Sequence, residues 1–205
     1  MKLWYSTTSS FARKAVATLK YHQLENQVEL LRITNSFDPD SPHNKDNPLG
    51  RIPALQMENG EWLFGSFLIS QYLDEMGSQP TLFPKDEKRW RVLSLHALVE
   101  GILENTTPTI VTERRFRPEN EWWKARHQQL MDRNIRSFKQ LEEKLAEFGD
   151  ELNIGTLTAV CLIDWWQFRP DNTGYDLAKD FPNLTAWAEM MNEKYPFLKA
   201  TQPTL

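Results

Sequence analysis

The chain has 205 residues, 40% hydrophobic and 12% aromatic, with a formal net charge of −4; that suits one large domain or two small ones with a sizeable core. The negative balance removes the case for an electrostatic nucleic-acid binder, and the single cysteine, Cys161, excludes an internal disulfide or a cysteine-rich metal site. No apolar run approaches about 18 residues, so no membrane span is expected, and the opening, with one Lys2 and three apolar residues, does not read as a secretory signal; the expectation is a cytoplasmic protein.

Lys2 to Tyr5 reads as a short strand. From Ser10 to about Tyr21, Ala12, Val16 and Leu19 recur at helical spacing with Ala15 beside them, which predicts a helix with one apolar face. Val28 to Ile33 is a second strand candidate. Thr34 to Asn47 holds Pro39, Pro42 and several Asp and Asn, and reads as a loop. Pro53 to Met57 and Trp62 to Phe64 flank Glu58-Asn59-Gly60-Glu61. Asn-Gly between apolar stretches is a strong hairpin signal, because both residues tolerate positive φ. Ser66 is expected to cap a further helix through Phe67, Ile69, Tyr72, Leu73 and Met76, ended by Gly77. A β-α-β unit wants a parallel pair and the hairpin adds an antiparallel one, so the sheet should be mixed.

Gln79 to Lys85, with two prolines, reads as a linker, and beyond it the strand signals stop. Asp86 to Arg115 is expected to be helical, with Trp90, Leu93, Ala97 and Ile102 near one face, and with a kink or break at Pro108. Glu119 to Phe148 is a second long helix, carrying Leu130, Ile135, Phe138, Leu141 and Leu145. Asn153 to about Phe168 is apolar nearly all round, as in a buried central helix, with Asn153 and Thr156 placed for a capping box. Asn183 to Lys194 closes the pattern. The four histidines, His22, His43, His96 and His127, share no metal-ligand spacing and are expected mostly at the surface. Cys161 reads as a small buried hydrophobe, and Trp122-Trp123 and Trp165-Trp166 as packing residues. Arg114, Arg115 and Arg117 read as a solvated basic helix end.

Four local motifs carry a resemblance. Thr8-Ser9-Ser10-Phe11-Ala12-Arg13-Lys14 looks like an S-P-F-x-R-K turn. Asn47-Pro48-Leu49-Gly50-Arg51-Ile52-Pro53-Ala54-Leu55 is similar to N-P-x-G-[KR]-[VI]-P-x-L. Phe64-Gly65-Ser66 resembles an acidic-Ser motif, and Asn153 to Thr156 a helical capping box. In this order they resemble the glutathione S-transferase family, and most of all its bacterial members with serine at the active turn, near the YibF-like group. The resemblance implies a fold of the α+β/α kind: a thioredoxin-like domain over 1–78, with a mixed four-stranded sheet, a linker over 79–85, and an all-helical domain over 86–205. It implies glutathione as co-substrate, no metal, a hydrophobic electrophile bound between the two halves, a homodimer, no nucleic-acid or membrane partner, and a role in detoxification. Glutathione peroxidase activity is a compatible side reaction.

The resemblance also gives each site residue a role beside its plainer one. Ser9 is a helix N-cap that would also hydrogen-bond the glutathione thiolate; Ser6, Thr8, Ser10 and Tyr5 are alternative hydroxyls from the same short stretch. No cysteine stands in the turn, so dithiol exchange is not available from it, and an isomerase turn of the Ser-x-Cys kind is absent. Ile52-Pro53 would form a cis-proline turn whose Ile52 main chain pairs with the cysteinyl part of glutathione; the plainer reading is a proline opening an edge strand. Arg51 would lie at the pocket rim. Ser66 would hold the γ-glutamyl carboxylate at a helix start. Gly65 stands where the family has an acid for the γ-glutamyl ammonium, and a glycine cannot make that contact. The alternative that follows is a non-catalytic binding or scaffold protein of the same fold.

Overall fold

The computed structural model describes residues 1–205, which form two compact units: Met1–Phe83 with Tyr195–Leu205, and Pro84–Lys194. No helix is long and apolar enough to cross a membrane.

The first unit is built on a four-stranded sheet in the order β2-β1-β3-β4. Strand β1 is Lys2–Tyr5, β2 Glu29–Arg32, β3 Ala54–Gln56 and β4 Trp62–Phe64. Strand β1 runs parallel to β2 and antiparallel to β3, and β3 is antiparallel to β4, so the sheet is mixed as expected. Helices α1 (Ser10–Tyr21) and α2 (Ser66–Met76) pack together, and their inward residues Ala15, Val16, Leu19, Ile69 and Leu73 bury Leu3 and Leu55 of the sheet. The β-α-β order forces this arrangement, since a parallel neighbour needs a crossover and the helix covers the apolar face. The hairpin forms, but its connection is looser than an Asn-Gly turn. The register pairs Gln56 with Trp62, and Met57 N–H closes the loop on the Glu61 carbonyl at 2.8 Å. Gly60 takes positive φ and Asn59 does not.

The last residues belong to this unit as well. Helix α10 (Pro196–Lys199) packs on α1, although the sequence groups 195–205 with the helical half. Arg13 draws it there: its Nη2 donates to the Leu198 carbonyl at 3.0 Å and its Nε to Thr201 Oγ1 at 3.4 Å.

The second unit is helical: α3 (Arg89–Asn105), α4 (Thr112–Phe116), α5 (Lys124–Phe148), α6 (Ile154–Phe168), α7 (Pro170–Thr173), α8 (Leu177–Asp180) and α9 (Pro182–Lys194). Helix α6 is its centre, buried from Ile154 through Trp166 and packed on α3 and α9. The capping box forms: Thr156 N–H donates to Asn153 Oδ1 at 3.0 Å, and Asn153 N–H to Thr156 Oγ1 at 2.9 Å. Trp166 is fully buried, edge-on to Phe138 at 4.9 Å, and Cys161 is buried in the same helix.

Three expectations for this unit change. The inward face of α3 is Val92, Leu95, His96, Val99, Ile102 and Leu103. Trp90, expected inward, is 74% exposed and stacks with Arg89, and Ala97 is exposed too. The 92-95-99-102 stripe holds the helical period better, and tryptophan's bulk misdirects the reading. Pro108 widens the helix rather than ending it, because Thr106–Val111 is a π-helical turn. Proline removes one donor. Thr106 Oγ1 donates to the Ile102 carbonyl and Thr112 Oγ1 to the Thr107 carbonyl, at 2.7 and 2.9 Å. Helix α5 starts at Lys124, after a 3-10 turn at Glu119–Glu121 and extended backbone at Trp122.

Candidate active site

Strand register brings three sequence-predicted segments to one end of the sheet. Trp4 is opposite Ala54 and Ala54 is opposite Phe64. The turn after β1, the proline before β3 and the Gly65-Ser66 pair after β4 therefore share an edge.

At the turn, Ser9 is the N-cap of α1, with φ −99° and ψ 119°, and its Oγ accepts from the Ala12 N–H at 3.2 Å. Its carbonyl takes the Arg13 N–H at 2.9 Å. The Ser10 and Phe11 N–H groups precede these bonds, so the helix end keeps donors and a positive dipole end free. Ser6 and Thr8 pair with each other at 3.1 Å, Thr7 Oγ1 donates to the Thr204 carbonyl at 2.7 Å, and Ser10 is buried. Ser9 is half-buried and its hydroxyl oxygen acts as an acceptor, so its proton remains to be donated. Tyr5, at the end of β1, is half-buried as well.

Ile52-Pro53 is a cis peptide bond. Pro53 is buried and the ladder begins at Ala54, so the Ile52 N–H and C=O lie outside it. The loop ahead is held by buried Asn47, whose Nδ2 donates to the Arg51 carbonyl at 2.7 Å and whose Oδ1 accepts from the Leu49 N–H at 3.0 Å. The Arg51 side chain is exposed.

Gly65, rather than Ser66, is the N-cap of α2, and no side chain caps the helix. Ser66 is its first residue and is buried. The reason is backbone: Gly65 sits at φ +88°, ψ 126°, a conformation nearly closed to side-chain-bearing residues. A Cβ there would meet nothing within 4 Å, so strain and not crowding selects glycine.

Other parts of the site region escape a local reading. The turn is tied to the chain's far end, since Thr204 N–H also donates to the Thr7 carbonyl at 3.3 Å, and Arg32 Nη2 reaches Thr7 Oγ1 at 3.3 Å. No periodicity signals a bond between residues so far apart. All four histidines are buried, against the expectation of a surface. Each has a polar neighbour that lowers the cost of burial: Asp74 at 2.9 Å for His22, Ser41 at 2.7 Å for His43, Glu100 at 3.6 Å for His96 and Glu113 at 2.7 Å for His127. His, Cys, Asp and Glu side chains form no group of three or more that could hold a metal ion. Trp165 and Trp166 are core residues, while Trp123 is 64% exposed.

Comparison with known proteins agrees with this fold. Residues 8–76 match the glutathione S-transferase N-terminal domain and residues 106–194 the glutathione S-transferase C-terminal domain. A crystal structure of a glutathione transferase family member from Pseudomonas fluorescens Pf-5, with bound glutathione, superposes with a TM-score of 0.90 at 30% identity, covering 100% of this chain and 99% of that one. YibF of Escherichia coli K12, an uncharacterized GST-like protein, is 29% identical over 99% of both chains. Maleylacetoacetate isomerase of Pseudomonas aeruginosa is 37% identical, over 48% of each chain. With both domains matched in order and the full length superposed, the chain belongs to the glutathione S-transferase family.

Proposed function

We propose that this protein is a glutathione transferase that binds glutathione at the sheet edge of its first unit and uses Ser9 to hold the thiol as thiolate for attack on a small hydrophobic electrophile. The observation that carries the reading is the Ser9 hydroxyl: its oxygen is fixed by the Ala12 N–H, and its proton is left for a ligand at a helix N-terminus. Lowering a thiol pKa by two units takes about 2.7 kcal/mol. A hydrogen bond to a charged group supplies roughly 1.5–3 kcal/mol, and the helix end adds to it. The thiolate is the nucleophile, so a turn without cysteine can run this chemistry when the co-substrate brings the sulfur.

In the same reading the Ile52 main chain beside Pro53 pairs with the cysteinyl unit, Arg51 stands at the rim, and the Ser66 end of α2 receives the γ-glutamyl carboxylate. Gly65 contributes its backbone alone. Glutathione bound in the Pseudomonas fluorescens relative supports the ligand. The proposed setting is a cytoplasmic homodimer.

Gly65 favours a second reading, a binding module of the same fold that has lost glutathione affinity, because the γ-glutamyl ammonium has no carboxylate there. Calorimetry with glutathione on the parent and on Gly65→Glu separates the two. Binding by the parent in the micromolar to low-millimolar range supports the transferase. Absence of binding, with or without rescue by the added carboxylate, removes it.

A further inference from the structure

The second unit contains a cavity of ≈ 240 Å³ that the glutathione chemistry does not use. It lies among the end of α4, the start of α5 and the turn after α7, and every residue lining it belongs to that unit. Ile110, Trp122 and Met131 supply apolar wall; Arg114, Gln128 and Thr173 supply polar groups. The mouth is marked by Glu119 and Lys124, whose side chains are 68% and 65% exposed and pair with each other at 2.7 Å.

Arg114 is the unusual member. Its Nε is buried without an acceptor, and no hydrogen bond or carboxylate pair forms on its guanidinium. One face lies over the Trp122 ring, 4.7 Å from the centroid. Gly174 leaves room for it: a Cβ there would come within 2.3 Å of the guanidinium, so a side chain at 174 would displace Arg114 from its present position. The nearby acids are committed elsewhere. Glu113 Oε2 lies 2.7 Å from His127 Nε2, without hydrogen-bond geometry, and accepts the Trp123 N–H at 3.1 Å. Glu119 is held below the usual carboxylate range first by its hydrogen bond to Lys124 and then by that charge, with Arg114 a lesser contributor. Positive charge is in excess here. A half-buried, unpaired cation whose Nε is fully buried carries a desolvation cost that a bound anion would offset.

We propose that this cavity is a binding site for a small organic monocarboxylate with an apolar body, its carboxylate forked on Arg114 and its body against Ile110, Trp122 and Met131. The guanidinium fork matches a planar carboxylate, and stacking on an aromatic ring pre-orients it. One unpaired guanidinium neutralises one negative charge, and the Glu119 carboxylate at the mouth disfavours a phosphate dianion. The apolar wall gives the body of the ligand its share of the affinity, and a volume of this size suits a ring plus a carboxyl group.

Calorimetry with benzoate, benzamide and inorganic phosphate on the full chain tests this. The expected result is saturable benzoate binding, about tenfold or more tighter than benzamide or phosphate, and weakened about tenfold or more in Arg114→Gln, with Arg114→Lys between. Glutathione affinity should not change in these variants, so the outcome is independent of the proposed transferase reading. Should Arg114→Gln fail to fold, Met131→Trp fills the cavity while keeping the cation and must abolish benzoate binding. Equal binding of benzamide, tighter binding of phosphate, no saturation, or undiminished binding in folded Arg114→Gln or in Met131→Trp would each overturn the proposal.

Discussion

The two units place polar groups by different means. In the first, backbone does it: the Ser9 N-cap, the Asn47-braced loop, the cis peptide at Pro53 and the positive φ of Gly65 hold main-chain and short side-chain groups at one sheet edge. In the second, long side chains do it from helix walls, with His127 on Glu113 and Arg114 on Trp122. The lesson is that stability and chemistry should separate cleanly in the first unit, where the functional groups carry little packing. In the second, buried polar groups sit beside aromatic core, and the same substitution should touch both.

The largest effect should come from the second unit's core. Phe138 is fully buried against Trp166 and Phe181, so Phe138→Ala should cost about 3–5 kcal/mol in denaturant unfolding. In the first unit, Ser9→Ala should lower kcat/KM for glutathione conjugation by roughly 10- to 100-fold, the worth of one charge-assisted hydrogen bond. Its stability should fall by only about 1 kcal/mol, for the lost cap. Equal losses in both readouts would break the contrast. Gly65→Ala should cost about 1–2 kcal/mol, because a Cβ disfavours positive φ; thermal melting reads it. Asn153→Ala, which removes a buried capping box, should cost about 1 kcal/mol by the same measurement.

The smallest effect concerns pH. Burial, followed by a hydrogen bond to the Asp180 carboxylate, pushes the Tyr175 phenol up to about 12. Because the folded value is raised, the protonated form is favoured by folding. Its contribution is complete below the ordinary phenol range and is lost as pH rises through about 12. An alkaline absorbance titration of Tyr175→Phe should lack the latest phenol step.

Much of the first unit was legible because its signals are local. Strand β1, helix α1, β4 and the mixed sheet follow from period and turn residues, and Ser9 stands where the N-cap pattern puts it. The shift of the α2 cap from Ser66 to Gly65 was not legible, since φ is not written in residue type. Neither was the clasp of Thr204 on Thr7, which depends on how α10 packs on α1. In the second unit, α6 and its capping box were plain. The face of α3 was not, because Trp90 outweighs Val92 in size while Val92 keeps the period. The buried histidines depend on partners such as Asp74 and Glu113, which only the tertiary structure brings near.

The most direct test of the central claim is an ultraviolet titration of the bound glutathione thiolate, on the parent and on Ser9→Ala at saturating glutathione. The account predicts a thiol pKa in the parent complex about one to two units below that of free glutathione, rising by about one unit or more without the hydroxyl. Bound glutathione with an unshifted thiol, or a shift that survives intact in Ser9→Ala, would contradict it.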